Sequence, residues 1–278
     1  MSANPLSEVL PWDLVALGYV DEVQPVFEKW AKDSFLRVSP KADDKVIDIA
    51  CGPGTVSLLL APLVRHIEAL DFSPAMIAAL NRRIAELGIA NIVPKVCDCN
   101  RLACPDGTFD LAFSQFGLMF FPDRQTGFNE MFRVLKPGGR AAVYSWAPLA
   151  ESESMSAVMG ALEAAFPETR PKDDAPKTIV SGLDDPAVFE REMKASGFQS
   201  VSIERVKHSF PVMNPRQFWE GMVRGSAPVT LMKSRVDPVK WRAAEEVAVH
   251  WLENRLGDRT KLYSTAFLGS GMKSNGDR

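Results

Sequence analysis

The sequence predicts an α/β protein, a doubly wound and mostly parallel seven-stranded sheet with helical cap insertions, and three observations carry that prediction. Five short apolar runs are interleaved with helical patterns between Val46 and Trp146, the rhythm of right-handed βαβ crossovers over a parallel sheet. The first run feeds straight into a glycine turn, Gly52-Pro53-Gly54. Two more strand-like runs come late, after segments of different composition.

Residues 1–40 read as a helical cover, because Val23, Phe27, Trp30 and Ala31 fall at i, i+4, i+7 and i+8, an apolar stripe on one helical face. Pro40 and the polar run Lys41 to Lys45 end it. The core, 45–146, opens with a strand Val46 to Ala50, the glycine turn and a helix from about Thr55, then a strand Ile67 to Leu70 that ends at Asp71. Ser73 is an N-cap with Pro74 at the first helical position, and that helix runs through Met76, Ile77, Leu80 and Ile84 to a stop at Gly88. A third strand, Ile92 to Cys97, ends at Asp98. After the turn residues Pro105-Asp106-Gly107 comes a fourth strand, Phe109 to Phe113. Phe128, Met131, Phe132 and Leu135 mark the buried face of a helix from Arg124 to Leu135; Lys136-Pro137-Gly138-Gly139 ends it, and Arg140 to Trp146 is the fifth strand.

Cap elements are expected over 150–196 and 213–257, with late strands at 201–210 and 262–268. The first cap segment holds helices at 151–166 and Asp185 to Ser196, with four prolines over 167–186. The second is rich in Met and Trp: Met213, Trp219, Met222, Met232, Trp241 and Trp251. These could form an adaptable apolar pocket or the cap's own core, and residue by residue the core reading is preferred. The tail, Ser270 to Arg278, is polar and expected to be mobile. The count is one domain, 1–278, with a lid.

Composition narrows the function classes. Net charge is -3 with 32 basic and 35 acidic residues, unlike the basic footprint of a nucleic-acid binder. With 46% hydrophobic and 24% charged residues the chain can fill a core. It has no apolar run near the ~20 residues of a membrane span, and Met1 to Leu10 does not look like a signal peptide. A cytoplasmic location is expected, with no nucleic-acid or membrane partner; the oligomeric state is left open. The four cysteines, Cys51, Cys97, Cys99 and Cys104, suit reduced thiols better than a disulfide framework.

A strand running into Gly-x-Gly lets a ligand approach the backbone at the head of a helix whose amides are free to donate. Asp71 lies 23 residues after Asp48, near the ~20-residue offset at which an acid reaches ribose hydroxyls. Asp98 closes the third strand, where a carboxylate can meet an adenine amine. Singly, each is a plain turn or cap; three at the carboxyl ends of successive strands mark a nucleotide-like ligand site.

The stretches Val46 to Thr55, Ala69 to Met76, Cys97-Asp98, Pro105 to Asp110, Ser114 to Pro122 and Arg133 to Gly139 resemble, in order, the class I S-adenosylmethionine-dependent methyltransferases, especially the quinone-biosynthesis C-methyltransferase type (methyltransferase type 11). The resemblance covers roughly Leu10 to Trp146 and implies a Rossmann-like methyltransferase fold with S-adenosylmethionine as cofactor. It implies that Asp48 belongs to the cofactor site, that Ala50, Gly52 and Gly54 face the methionine part, and that Asp71 binds the ribose. It further implies that Phe72 and Met76 pack on adenine, Asp98 and the Cys99 amide meet its edge, and Ser114 and Gln115 line the methyl-transfer site. Trp12 and Tyr19 match N-terminal positions whose helix covers the cofactor.

Other readings are weaker. A nicotinamide dehydrogenase would need a third glycine where Ser57 stands. Asn-Pro-Pro-Tyr, carried by amide- and adenine-methylating relatives, is replaced by Ser114-Gln115-Phe116-Gly117. Cys97, Cys99 and Cys104 do not have the spacing of a structural zinc site, so no metal is assigned. His66 precedes the second strand and reads as surface. No catalytic base is compelled: His208, His250 and Tyr144 are the candidates, while Tyr144 and Trp146 could also line a substrate pocket. The expected function is methyl transfer by direct displacement to a small, partly apolar or aromatic acceptor, with O, C or N as acceptor atom unresolved. The alternative is an S-adenosylmethionine-binding sensor or assembly subunit without methyl transfer.

Overall fold

The computed structural model describes residues 4–169, 182–212 and 214–275. After a short 3-10 turn at Pro5–Ser7, the chain forms α1 (Val9–Glu22), α2 (Gln24–Val38), β1 (Lys45–Ile49), α3 (Thr55–Leu60), β2 (His66–Asp71), α4 (Pro74–Leu87), β3 (Ile92–Val96), β4 (Phe109–Gln115), α5 (Arg124–Val134) and β5 (Leu135–Trp146). Then come α6 (Glu153–Ala165), α7 (Pro186–Ala195), β6 (Gln199–Pro211), α8 (Pro215–Gly225), α9 (Ala227–Arg235), α10 (Pro238–Leu256) and β7 (Lys261–Met272). The sheet order is β3-β2-β1-β4-β5-β7-β6. The first five strands are parallel, and β7 runs antiparallel to both β5 and β6. This is the expected mostly parallel, seven-stranded sheet.

Local chemistry explains the boundaries. The stripe Val23 to Ala31 lies on α2 and its N-cap Val23, and α1 ends just before it, because Pro25 lacks the N–H that would continue α1. Ser73 caps α4 by accepting from the Met76 amide at 3.1 Å, and Gly88 ends it in the left-handed region at φ +64°. Lys136 to Gly139, expected as a stop between helix and strand, lies inside β5. The pairing shifts there from Phe109↔Leu135 to Leu111↔Arg140, a bulge that absorbs the extra residues.

Helix α7 falls where a helix is expected, but it covers the sheet and not the cofactor edge. Phe189 and Met193, four residues apart and fully buried, lie on Gly269 and Gly271 of β7, where side chains would collide. Helices α6, α8, α9 and α10 form a separate packed group. Its core holds Phe166, Trp219 and Trp241, the two indoles stacked at 6.2 Å. Met222, Met232 and Trp251 pack partly buried around it; Met213 lies outside the described residues. Gly160 brings α6 so close to Trp251 that a Cβ would stand 2.4 Å from the ring. The described Trp and Met residues singled out in the insertion pack within this group.

Both late strands are longer than expected, and Ser270 to Met272, placed in the polar tail by sequence, pair within the sheet. No helix among the described residues is long and apolar enough to cross a membrane.

Candidate active site

Strand β1 ends at Ile49, and the chain turns at once: Ala50 has φ +56°, Gly52 +55° and Gly54 +89°. A left-handed alanine is costly, and here the turn brings the head of α3 to the carboxyl edge of the sheet. A cavity of about 290 Å³ opens there, walled by this turn, the ends of β2 and β4, and α1. A Cβ on Gly52 would meet nothing within 4 Å, so the space over the turn is open to a ligand.

Of the residues singled out by sequence, Trp12, Tyr19, Asp48, Ala50, Gly52, Asp71, Phe72, Met76, Asp98, Cys99 and Gln115 line this cavity. Gly54 and Ser114 do not. Gly54 faces Leu80, whose Cδ1 would lie 2.4 Å from an added Cβ, so it serves turn geometry and α4 packing. Ser114 is fully buried, its Oγ accepting from the Leu118 amide at 3.1 Å. Asp98 stands two residues beyond β3, exposed at the rim, and accepts from the Asn100 amide at 2.9 Å.

The candidate bases lie off the wall. His208 Nε2 is 2.6 Å from Asp33 Oδ2, with its ring 4.8 Å from that of Trp30. His250 is exposed beside Asn254 and Glu253 on α10. Tyr144 is buried behind Phe116, its hydroxyl without a partner and held protonated by burial. Among the described residues the wall has no histidine, lysine or arginine.

Sequence reasoning did not assign Phe27, Phe116, Phe120 and Phe121 to this cavity. The signal was the aromatic run around Gly117. Phe116 itself sits at φ +57°, rare for a bulky residue and a pointer to function. Gly117 is required beneath it, because a Cβ would stand 2.4 Å from that of Ala50.

Asp71 is buried at the end of β2, with Oδ2 accepting from the Gly52 amide at 2.8 Å and Oδ1 from the Ser73 amide at 2.9 Å. Burial pushes its carboxyl up to about 6, against the pull of those amides. Burial also raises the Tyr19 phenol, with Asp71 adding to it, and the Cys51 and Cys99 thiols. All four cysteines are free, and no group of three or more His, Cys, Asp or Glu suited to a metal occurs among the described residues.

Asp48 Oδ2 accepts from Ser57 Oγ at 2.6 Å and its amide at 3.1 Å, yet burial pushes the carboxyl from 3.8 up to about 7. The folded chain thus holds this proton more tightly than the unfolded one, a contribution present below pH ~4 and lost as pH rises through about 7. Asp48→Asn keeps an acceptor for Ser57 and cannot ionise. It is expected to gain on wild type between pH 4 and pH 8, by on the order of a few kcal/mol. Urea unfolding at both pH values measures this, and an equal difference at both would contradict it.

Residues 46–139 match the methyltransferase domain family. Over 115 residues the chain is 33% identical to a demethylmenaquinone methyltransferase of Geobacillus sp., covering 40% of this chain and 49% of the relative. Over 122 residues it is 34% identical to a ubiquinone/menaquinone biosynthesis C-methyltransferase of Geobacter sulfurreducens, covering 42% and 48%. The chain spans about half the length of these curated relatives. The fold is similar to the crystal structure of the YcgJ protein from Bacillus subtilis, with TM-score 0.56, 16% identity, and coverage of 88% of this chain and 98% of that one. Residues 46–139 are thus similar to a methyltransferase domain, and the seven-stranded sheet around them has the fold of the YcgJ protein.

Proposed function

We propose that this protein binds S-adenosylmethionine in the cavity over the glycine turn and transfers its methyl group by direct displacement to a small, partly apolar or aromatic molecule. The observation that carries this reading is the lining of one cavity, which joins buried Asp71 and the open Gly52 turn with Phe27, Phe116, Phe120 and Phe121. A buried carboxylate suits the donor hydroxyls of a ribose, and the space beside Gly52 suits the methionine part. Phe72 and Met76 would flank the adenine, with Asp98 and the Cys99 amide at its edge.

When bound, the cofactor supplies a methyl group already activated on a sulfonium. The chain's part is then to align the acceptor and exclude water. Its aromatic side chains serve both ends, since ring faces also attract a cation. With no basic side chain on the described wall, alignment carries more of the work than proton removal.

Gln115 is the residue suited to orient the acceptor. Its Nε2 donates to the Phe27 carbonyl at 2.9 Å; a carbonyl only accepts, so the amide cannot be turned around. Oε1 is left buried without a partner, able to accept from an acceptor's hydroxyl or amine. Gln115→Leu is expected to raise the acceptor KM about tenfold with cofactor affinity nearly unchanged. A KM equal to wild type would remove this role.

The names of the curated relatives put quinols first in an acceptor panel, followed by phenols, amines and carboxylates. Calorimetry measures S-adenosylmethionine binding, and chromatographic detection of S-adenosylhomocysteine with a methylated product measures turnover. Turnover supports the enzyme reading. Intact binding with no turnover across the panel would favour a cofactor-binding protein without methyl transfer.

A further inference from the structure

Helix α1 touches the cavity through Trp12 and Tyr19, and Asp13 ties it to the start of α4. Asp13 Oδ1 accepts from Ser73 Oγ at 2.5 Å and from the Ala75 amide at 3.3 Å. Ser73 is fully buried and donates its own amide to Asp71 Oδ1 at 2.9 Å, while the other oxygen of Asp71 holds the Gly52 amide at 2.8 Å. A single file of hydrogen bonds therefore runs from the covering helix through Ser73 and Asp71 to the glycine turn.

We propose that Asp13 is a positioning residue for cofactor binding, latching α1 over the site and fixing the ribose-facing carboxylate of Asp71 through Ser73. This rests on the reading of Asp71 given above. The arrangement has two opposed effects. Locking Ser73 orients one oxygen of Asp71, since the serine can no longer turn its hydroxyl or amide elsewhere. The charge of Asp13 also opposes ionisation of Asp71. The titratable groups that act on or respond to Asp71 are Asp48 of β1, Tyr19 and Asp13 of α1, Cys51 of the turn and Cys99 after β3. Two substitutions separate the effects: Asp13→Asn keeps an accepting oxygen and removes the charge, whereas Asp13→Ala removes both.

The probe is S-adenosylhomocysteine, titrated calorimetrically between pH 5 and pH 8, together with hydrogen exchange of residues 9–22 without ligand. For wild type, affinity should fall as pH drops through the range where Asp71 takes up a proton. Asp13→Asn should bind within about threefold of wild type at pH 8, with the midpoint of its pH dependence at least half a unit lower. Asp13→Ala should bind at least about tenfold more weakly at pH 8 and exchange faster along α1. An unmoved midpoint in the asparagine variant overturns the proposal, and it decides the matter if the alanine variant does not fold. Unchanged α1 exchange in a folded alanine variant overturns the latch. If wild type does not bind the probe at all, the cofactor reading fails, and ligand-free exchange still tests the latch.

Discussion

Asp71→Ala is expected to raise the dissociation constant for S-adenosylmethionine at least about a hundredfold while the protein stays folded. Each charge-assisted hydrogen bond from a ribose hydroxyl to a buried carboxylate is worth roughly 1.5–3 kcal/mol, and two of them reach that factor. The alanine also frees the Gly52 amide, now held at 2.8 Å, so the turn loses its tether. The fold should survive, because a buried carboxyl already pushed up to about 6 costs the empty protein desolvation energy that alanine does not. Binding favours the ionised form, so wild-type affinity should climb as pH rises through about 6 and then level off. Asp71→Asn should bind about tenfold more weakly than wild type and show no such climb. Calorimetry across pH, with circular dichroism for fold, measures both; affinity within threefold of wild type in the alanine variant would refute the assignment.

Trp30→Ala is expected to lower folding stability by about 3–5 kcal/mol, the range for emptying a large aromatic site in a packed core. Trp30 has no exposed surface, and its ring meets those of Phe27, Phe116, Trp146, His208 and Phe210 at 4.8–5.9 Å. It joins α2 to β4, β5 and β6 beneath the aromatic end of the cavity. Its Nε1 has no partner, so Trp30→Phe keeps most ring contact and should cost less than about 1.5 kcal/mol. Urea unfolding measures both variants, and a loss under 1 kcal/mol in the alanine variant would show that the site collapses around the gap.

The legible parts of this protein are those encoded by near neighbours in sequence. Ser73-Pro74 and Gly88 bracket α4 because cap and stop are properties of single residues. The glycine turn and Asp71 could be found because strand length and spacing fix where they emerge. Gly54 shows the limit of that approach: its type was readable, but that it faces Leu80 and not the cavity depends on α4, 20 or more residues away. Phe27 looked like ordinary core because a helical stripe does not say which neighbour the stripe will meet. It lines the cavity beside the left-handed Phe116 that follows β4, the two rings 4.8 Å apart. The same limit explains α7, readable as a helix over Asp185 to Ser196 but not as one whose Phe189 and Met193 would be received by glycines of β7.

The place of β7 in the sheet sets an order of events during synthesis. Since β7 is slotted between β5 and β6, β6 has no strand to pair with when it leaves the ribosome, and the outer edge of β5 stays open until α8, α9 and α10 have all been made. An unpaired strand and an open edge invite pairing between nascent chains. The cap helices come between, and with a core of their own they can collapse first, holding β6 near its place until the last strand closes the sheet.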